Sequence, residues 1–244
     1  MKRLTPRGGA IAWVRVAASR LELRTLAMIV AAGAAVMAFL ELSEVTELAD
    51  PSAFDRQILL WFRNPANPAD PIGSRAFEEA MRDITALGGF ACLLLFVVIA
   101  AASLLFFRKP RQAIVFVVTV LAAELGNDVL KAFYSRPRPQ LVPHETYVYT
   151  HSFPSGHAML SAVTFLTLAA ILSSLDARRG FKAFVFSVAI FLTVTIGLTR
   201  IYLGVHWPTD VLGGWTLGAA FALTARVVLG VWRRERPVEI QDLK

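Results

Sequence analysis

Residues 182–210 read KAFVFSVAIFLTVTIGLTRIYLGVHWPTD. Residues 182–203 of this stretch are almost wholly apolar and long enough to cross a bilayer, which takes roughly 20 residues. Arg200 lies near the end of this run, and His206 and Asp210 follow at the start of the next apolar block. Five further stretches of the same kind occupy residues 25–43, 88–107, 112–130, 156–175 and 209–231. The expected fold is therefore all-α: a polytopic membrane protein of about six transmembrane helices, formed as a single membrane domain over residues 1–244.

Composition agrees with this. Of the 244 residues 56% are hydrophobic and only 18% charged, against about 25% charged in an average soluble domain. The net charge of +7 does not indicate a nucleic-acid partner, because the basic residues sit in short segments between apolar blocks. Lys2, Arg3, Arg7, Arg15, Arg20 and Arg24 precede the first span. Arg108, Lys109 and Arg111 follow the second, Arg178, Arg179 and Lys182 follow the fourth, and Arg233, Arg234, Arg236 and Lys244 end the chain. With six spans all four groups fall on one side, which the positive-inside rule makes the cytoplasm. Both termini are then cytoplasmic, and residues 1–24 form a basic stretch whose 10–24 portion lies at the interface with anionic lipid. Glu41 and Glu44 lie at the end of the first span, which favours an uncleaved anchor over a signal peptide. The single cysteine, Cys92, lies inside an apolar run and allows no disulfide within the chain.

Residues 44–87 form the outer loop. Phe54, Ile58, Leu59 and Phe62 follow helical spacing, as do Phe77, Met81 and Ile84, with Asn64, Pro65, Pro68 and Pro71 breaking the run between them. The spacing predicts two short amphipathic helices on the outer membrane surface. They act either as a cap over the bundle or as a gate for a lipid. Trp61, Trp207 and Trp232 fall near span ends, as an aromatic belt requires.

Three segments carry chemistry. In Lys131–Pro139 (KAFYSRPRP) two prolines stiffen the backbone around Arg138, and Lys131 and Arg138 can grip phosphate oxygens or simply reach toward head groups. In Pro154–His157 (PSGH) the opening turn of a span offers unpaired N–H groups to an anion; Ser155 adds a hydroxyl, Gly156 permits close approach, and His157 can give up a proton. The plainer alternative is an ordinary helix cap. In Arg200–Asp210 the four-residue spacing puts His206 and Asp210 on one helix face, so that a carboxylate orients an imidazole nucleophile, or else merely satisfies it. Together these residues supply charge for the equatorial oxygens of a phosphoryl group and an imidazole at either end of an in-line displacement. No metal or other cofactor is implied. In the third span Glu124, Asn127 and Asp128 are expected to face the bundle interior, with Asp128 pairing with Lys131. His144 and His151 sit in the loop before PSGH.

Lys131 with Arg138-Pro139, Pro154-Ser155-Gly156-His157, and Arg200 with His206 and Asp210 resemble the three-part signature of the type 2 phosphatidic acid phosphatase family, over residues 120–215. One position departs, with Thr199 standing where the family usually has serine before the arginine. The resemblance implies a lipid phosphomonoesterase or diphosphatase acting on a lipid phosphate in the outer leaflet of a bacterial inner membrane, with the site on the extracytoplasmic side. It implies His206 as the nucleophile that forms a phosphohistidine, Asp210 as its support, and His157 as acid and then base. Lys131, Arg138, Ser155, Gly156 and Arg200 would cradle the phosphate. Phosphotransfer to a lipid acceptor, and transport without chemistry, are the alternatives; a transporter site belongs near the bilayer midplane rather than at one surface.

Overall fold

The computed structural model describes residues 8–46, 51–146 and 150–234. Of the cations used above to orient the chain, Lys2, Arg3, Arg7, Arg236 and Lys244 lie outside the described residues. In chain order the elements are α1 (Gly8–Thr46), α2 (Ala53–Trp61), β1 (Arg63–Asn64), β2 (Asn67–Pro71), α3 (Arg75–Ala86), α4 (Phe90–Phe106), α5 (Pro110–Tyr134), α6 (Gly156–Leu175), α7 (Arg179–Tyr202) and α8 (Pro208–Arg234). Five helices are long and apolar enough to cross a bilayer, and α3 with α4, which meet at 48°, bring the total to as many as six. Helix α4 alone holds 17 residues without a charge, or about 26 Å of helix, close to the hydrocarbon thickness.

The sequence makes each boundary. Ser52 accepts from the Asp55 N–H at 3.1 Å to start α2, Ser74 accepts from the Phe77 N–H at 3.3 Å to start α3, and Pro110 opens α5. Helix α5 stops because Ser135 turns left-handed (φ 47°) and the prolines at 137 and 139 cannot continue it. Helix α7 closes with both Schellman bonds, Val205 N to Arg200 O at 3.2 Å and Gly204 N to Ile201 O at 3.0 Å, around Gly204 at φ 71°. Helix α4 closes in the same way, Lys109 N to Leu104 O at 2.7 Å and Arg108 N to Leu105 O at 2.9 Å, but there the left-handed residue is Arg108 (φ 56°). A side chain in that conformation costs roughly 1–2 kcal/mol.

Helix α6 is the most buried span and packs on α5, α7 and α8; α8 in turn packs on α1. Lipid offers no hydrophobic drive to bring helices together, so close approach rests on small residues. Gly214 and Gly218 of α8 supply it. A Cβ at Gly214 would stand 2.8 Å from the Ser155 carbonyl oxygen, and one at Gly218 2.8 Å from that of Met159. The N-terminal ends of α6 and α8, which carry His157 and follow His206, are thereby held side by side.

Helix α1 runs unbroken from Gly8 to Thr46, so the 10–24 stretch continues into the first span. Two expectations change. The proline-broken segment between α2 and α3 is an antiparallel hairpin, β1 on β2. Trp207 is no belt residue: it is buried, donates from Nε1 to the Pro137 carbonyl at 3.1 Å, and lies under the Arg136 guanidinium. Leu59 of α2 is fully buried against Ile201, Trp207 and Val211, so α2 caps the bundle rather than only resting on lipid.

Candidate active site

His206 is 2% exposed, in the short link between α7 and α8. Its Nδ1 faces Asp210 Oδ2 at 3.4 Å and its Nε2 faces Arg138 Nη1 at 3.1 Å. A guanidinium can only donate, so Nε2 accepts and the ring proton sits on Nδ1, toward the carboxylate. The lone pair on Nε2 is therefore directed into the cluster of cations. Burial first, and then the charges of Arg138, Arg200 and Lys131, hold the imidazole well below its ordinary pKa and keep it neutral.

Asp210, at the third position of α8, accepts from the Trp207 N–H at 2.8 Å, the half of a capping box that a third-position acid supplies. It also accepts from the Ser152 hydroxyl in a short contact and from Arg136 Nη1. The second arm of Arg136 reaches Asp55 of α2 at 2.9 Å. Asp55 further accepts from Thr209, through both its backbone N–H and its hydroxyl, each at 2.9 Å. A buried arginine thus clamps two fully buried carboxylates drawn from elements far apart in the chain.

The cations come from three directions. Arg138 donates from Nε to the Thr150 carbonyl at 2.8 Å and from Nη1 to the Val205 carbonyl at 2.7 Å. Its burial draws the guanidinium below the usual arginine value. Lys131, on the last turn of α5, donates to Thr150 Oγ1 at 2.9 Å. Arg200, on the last turn of α7, donates from Nη1 to Thr85 Oγ1 at 3.0 Å, and its buried Nε has no protein partner. Ser155 heads α6 without capping it through its side chain; its hydroxyl is likewise buried and unpartnered, while its N–H donates to the Asp210 carbonyl at 3.0 Å. Buried donors are rarely left idle, and the Ser155 hydroxyl stands at the head of α6, where the backbone joins the first turn of α8. His157, half-buried, lies against Gly88 at the bend between α3 and α4: a Cβ on Gly88 would stand 3.3 Å from its Cδ2. It is close enough to His206, Arg200, Lys131 and Arg138 to sense their charges.

All eight residues singled out from the sequence are thus found around one end of the bundle, and Gly156 also meets a packing constraint. A Cβ there would press on Asn127 Nδ2 at 3.2 Å, so the glycine answers to helix packing between α5 and α6. The expected Asp128–Lys131 pair does not form: Lys131 turns to Thr150, Asp128 is exposed, and of the three polar residues of that span Asn127 is the one that is buried. The Thr199 hydroxyl bonds its own helix at the Ile196 carbonyl, 2.6 Å away. His151 is exposed and offers only its carbonyl, to Arg138 at 3.4 Å; His144 bonds the Pro139 carbonyl at 2.7 Å. Asp55, Thr85, Arg136, Thr150, Ser152 and Thr209 were not anticipated as parts of the site. Arg136 alone carried a signal, as a second arginine directly before a proline, Pro137.

A sequence model described as the PAP2 superfamily matches residues 112–234. Phosphatidylglycerophosphatase B of Bacillus subtilis is 38% identical over 144 residues, which are 58% of this chain and 70% of that one. An undecaprenyl-diphosphatase of Sulfolobus acidocaldarius is 30% identical over 119 residues, 46% of this chain and 53% of that one. Among solved structures, a transmembrane PAP2 type phosphatidylglycerolphosphate phosphatase from Bacillus subtilis superposes with a TM-score of 0.72 at 29% identity, covering 85% of this chain and 98% of that one.

Proposed function

Because this chain belongs to the PAP2 superfamily, we propose that it is an integral-membrane lipid phosphatase that hydrolyses a lipid phosphomonoester or diphosphate through a phosphohistidine on His206. The observation that carries the reading is the orientation of that imidazole. Nδ1–H points to a buried carboxylate, and the Nε2 lone pair points at Arg138 within a ring of cations. An imidazole meant only to be satisfied would have no need of three cations on its open side.

In this reading the phosphate sits among Lys131, Arg138, Arg200, the Ser155 hydroxyl and the first N–H groups of α6. Nε2 of His206 attacks phosphorus, a P–N bond forms, and the ester P–O bond breaks in line with it. His157 gives the leaving oxygen its proton. Water then attacks the phosphohistidine, loses a proton to His157, and inorganic phosphate departs as the P–N bond breaks. Asp210 keeps the Nδ1 proton in place throughout and stabilises the charge that develops on the ring. The chemistry occupies the 120–215 region of one membrane domain.

The basic groups beyond the other ends of the spans support a site on the extracytoplasmic side, with both termini in the cytoplasm. The relative covered over 70% of its length makes phosphatidylglycerol phosphate the first substrate to try, ahead of undecaprenyl diphosphate, phosphatidic acid and lipid A phosphates. The test is phosphate release by the purified chain across that panel, beside its His206→Ala variant. Release from at least one lipid, absent in the variant, is expected. Equal release by both proteins would remove the basis for the mechanism, and appearance of a phosphorylated lipid in place of free phosphate would make the enzyme a phosphotransferase.

A further inference from the structure

At the end of the bundle opposite the histidines, the far ends of α4, α5, α6 and α8 surround a cavity of about 490 Å³. Arg108, Lys109 and Arg111 line it together with Gln112, Leu229 and Trp232, and no acidic residue is among its lining. Arg111 is held over the Trp232 ring, 5.5 Å from its centroid, and its Nη1 lies 3.5 Å from the Trp232 carbonyl oxygen. Asp176, just beyond the lining residue Leu175, is taken up by Arg178 through contacts of 2.6 to 3.2 Å. The positive charge of the cavity is thus unopposed among the described residues.

The backbone adds an independent sign. The left-handed position that ends α7 is filled by Gly204, whereas the equivalent position that ends α4 is filled by Arg108. Glycine is the residue that such a turn favours. A side chain kept there at a cost in strain, with a cation on it, and opening on a cavity, indicates a purpose other than closing the helix. Phe106 and Phe107 beside it are 83% and 69% exposed, as suits contact with acyl chains.

We infer that this cavity is a second anion site, remote from the histidines, which holds the phosphate of a lipid headgroup in the leaflet on that side. Basic pockets between spans suit such headgroups. The aromatic and apolar residues around the cations favour a phosphate that carries tails over a free one. A phosphodiester lipid is the apt probe, because it offers the histidine end no monoester to cleave.

The experiment compares phosphatidylglycerol with phosphatidylcholine for retention on the detergent-solubilised full chain, read by native mass spectrometry. Retention of phosphatidylglycerol is expected to fall about fivefold in Arg108→Gly and about a hundredfold when Arg108, Lys109 and Arg111 all become Gln. Arg108→Gly carries a second readout that a merely structural arginine would not give: without lipid it should unfold at a higher temperature than wild type, because glycine relieves the turn. Loss of binding combined with a gain in stability is the predicted signature. Inorganic phosphate forms the other arm, read by its effect on the unfolding temperature. If phosphate stabilises wild type more than the triple variant while both retain phosphatidylglycerol equally, the site stands and its ligand is the free anion. If wild type and triple variant respond alike to lipid and to phosphate, the inference is wrong.

Discussion

Arg136→Met is the substitution that tests the architecture behind His206 most severely. It removes the one cation shared by Asp55 and Asp210, both of them fully buried. Losing one partner of a buried pair costs about 3–5 kcal/mol. Two carboxylates lose a partner here, but each keeps other donors, Thr209 for Asp55 and Trp207 with Ser152 for Asp210. The single-pair range is therefore the fitting one. For a chain of this size it corresponds to a fall in Tm of about 6–20 °C. Asp210, freed on one side, would let the imidazole swing, and a displacement of ~1 Å at a reacting group costs on the order of 100-fold in rate. Arg136→Lys should fall between, since one ammonium cannot serve two carboxylates as the forked guanidinium does. The assay is thermal unfolding in detergent beside initial rates of phosphate release. Adding Asp55→Asn to Arg136→Met should cost less than the two losses summed, because one orphaned charge is gone. An Arg136→Met protein within about 2 °C of wild type, with an unchanged rate, would refute the clamp.

His157→Ala should lose roughly 100- to 10,000-fold in turnover, the range of a general acid; in kcat/KM, which reports formation of the phosphohistidine, the loss should be smallest for substrates whose leaving oxygen needs no proton, and a kcat/KM loss independent of the leaving group would contradict its role as the acid. Gly214→Ala places a methyl 2.8 Å from the Ser155 carbonyl and 2.9 Å from the Met159 nitrogen, and should lower both Tm and rate, whereas Gly230→Ala, with open space around its Cβ, should leave the rate unchanged and should not lower Tm. The pH dependence follows from His206, whose folded-state pKa lies below that of the unfolded chain. Between the two values the unfolded chain binds the extra proton, so this group's contribution to stability is complete above about pH 6.5 and is lost as pH falls from there. The acid limb of kcat/KM due to this group should accordingly lie well below pH 6.5 in wild type, and Arg138→Gln, by removing a neighbouring positive charge, should move it upward; a limb that stays put would separate Arg138 from the imidazole.

What the sequence displayed and what it hid divide by range. Spans were legible because bilayer thickness imposes a length on any apolar helix, and the ends of α5 through α8 lie within a few residues of the expected limits. His206 and Asp210 were legible because they stand four residues apart at the start of a span, although His206 falls in the link just before α8 rather than on the helix itself. Asp55 was not. It sits on the polar side of an amphipathic segment, where an acid ordinarily meets water, and its partners Arg136 and Thr209 are 81 and 154 positions away. Thr85 is hidden for the same reason, being bound to Arg200 across 115 positions. Ser152 and Thr150 stood in a loop with no periodicity to direct them inward. The bond of Arg136 to Asp210 also shows why a motif can be read without its support: the groups that react are few and chemically distinctive, while those that hold them are common residues brought together by the fold.

The proposed reaction requires a covalent bond between phosphorus and Nε2 of His206. Mixing the purified chain with a lipid labelled at its phosphate, quenching in alkali within one turnover, and mapping the label by peptide would observe that bond. The label is expected on the peptide that holds His206, at higher occupancy in His157→Ala if loss of the base slows hydrolysis of the intermediate more than its formation. A rapid burst of product with the label on another residue, or unimpaired turnover by His206→Ala, would contradict the account.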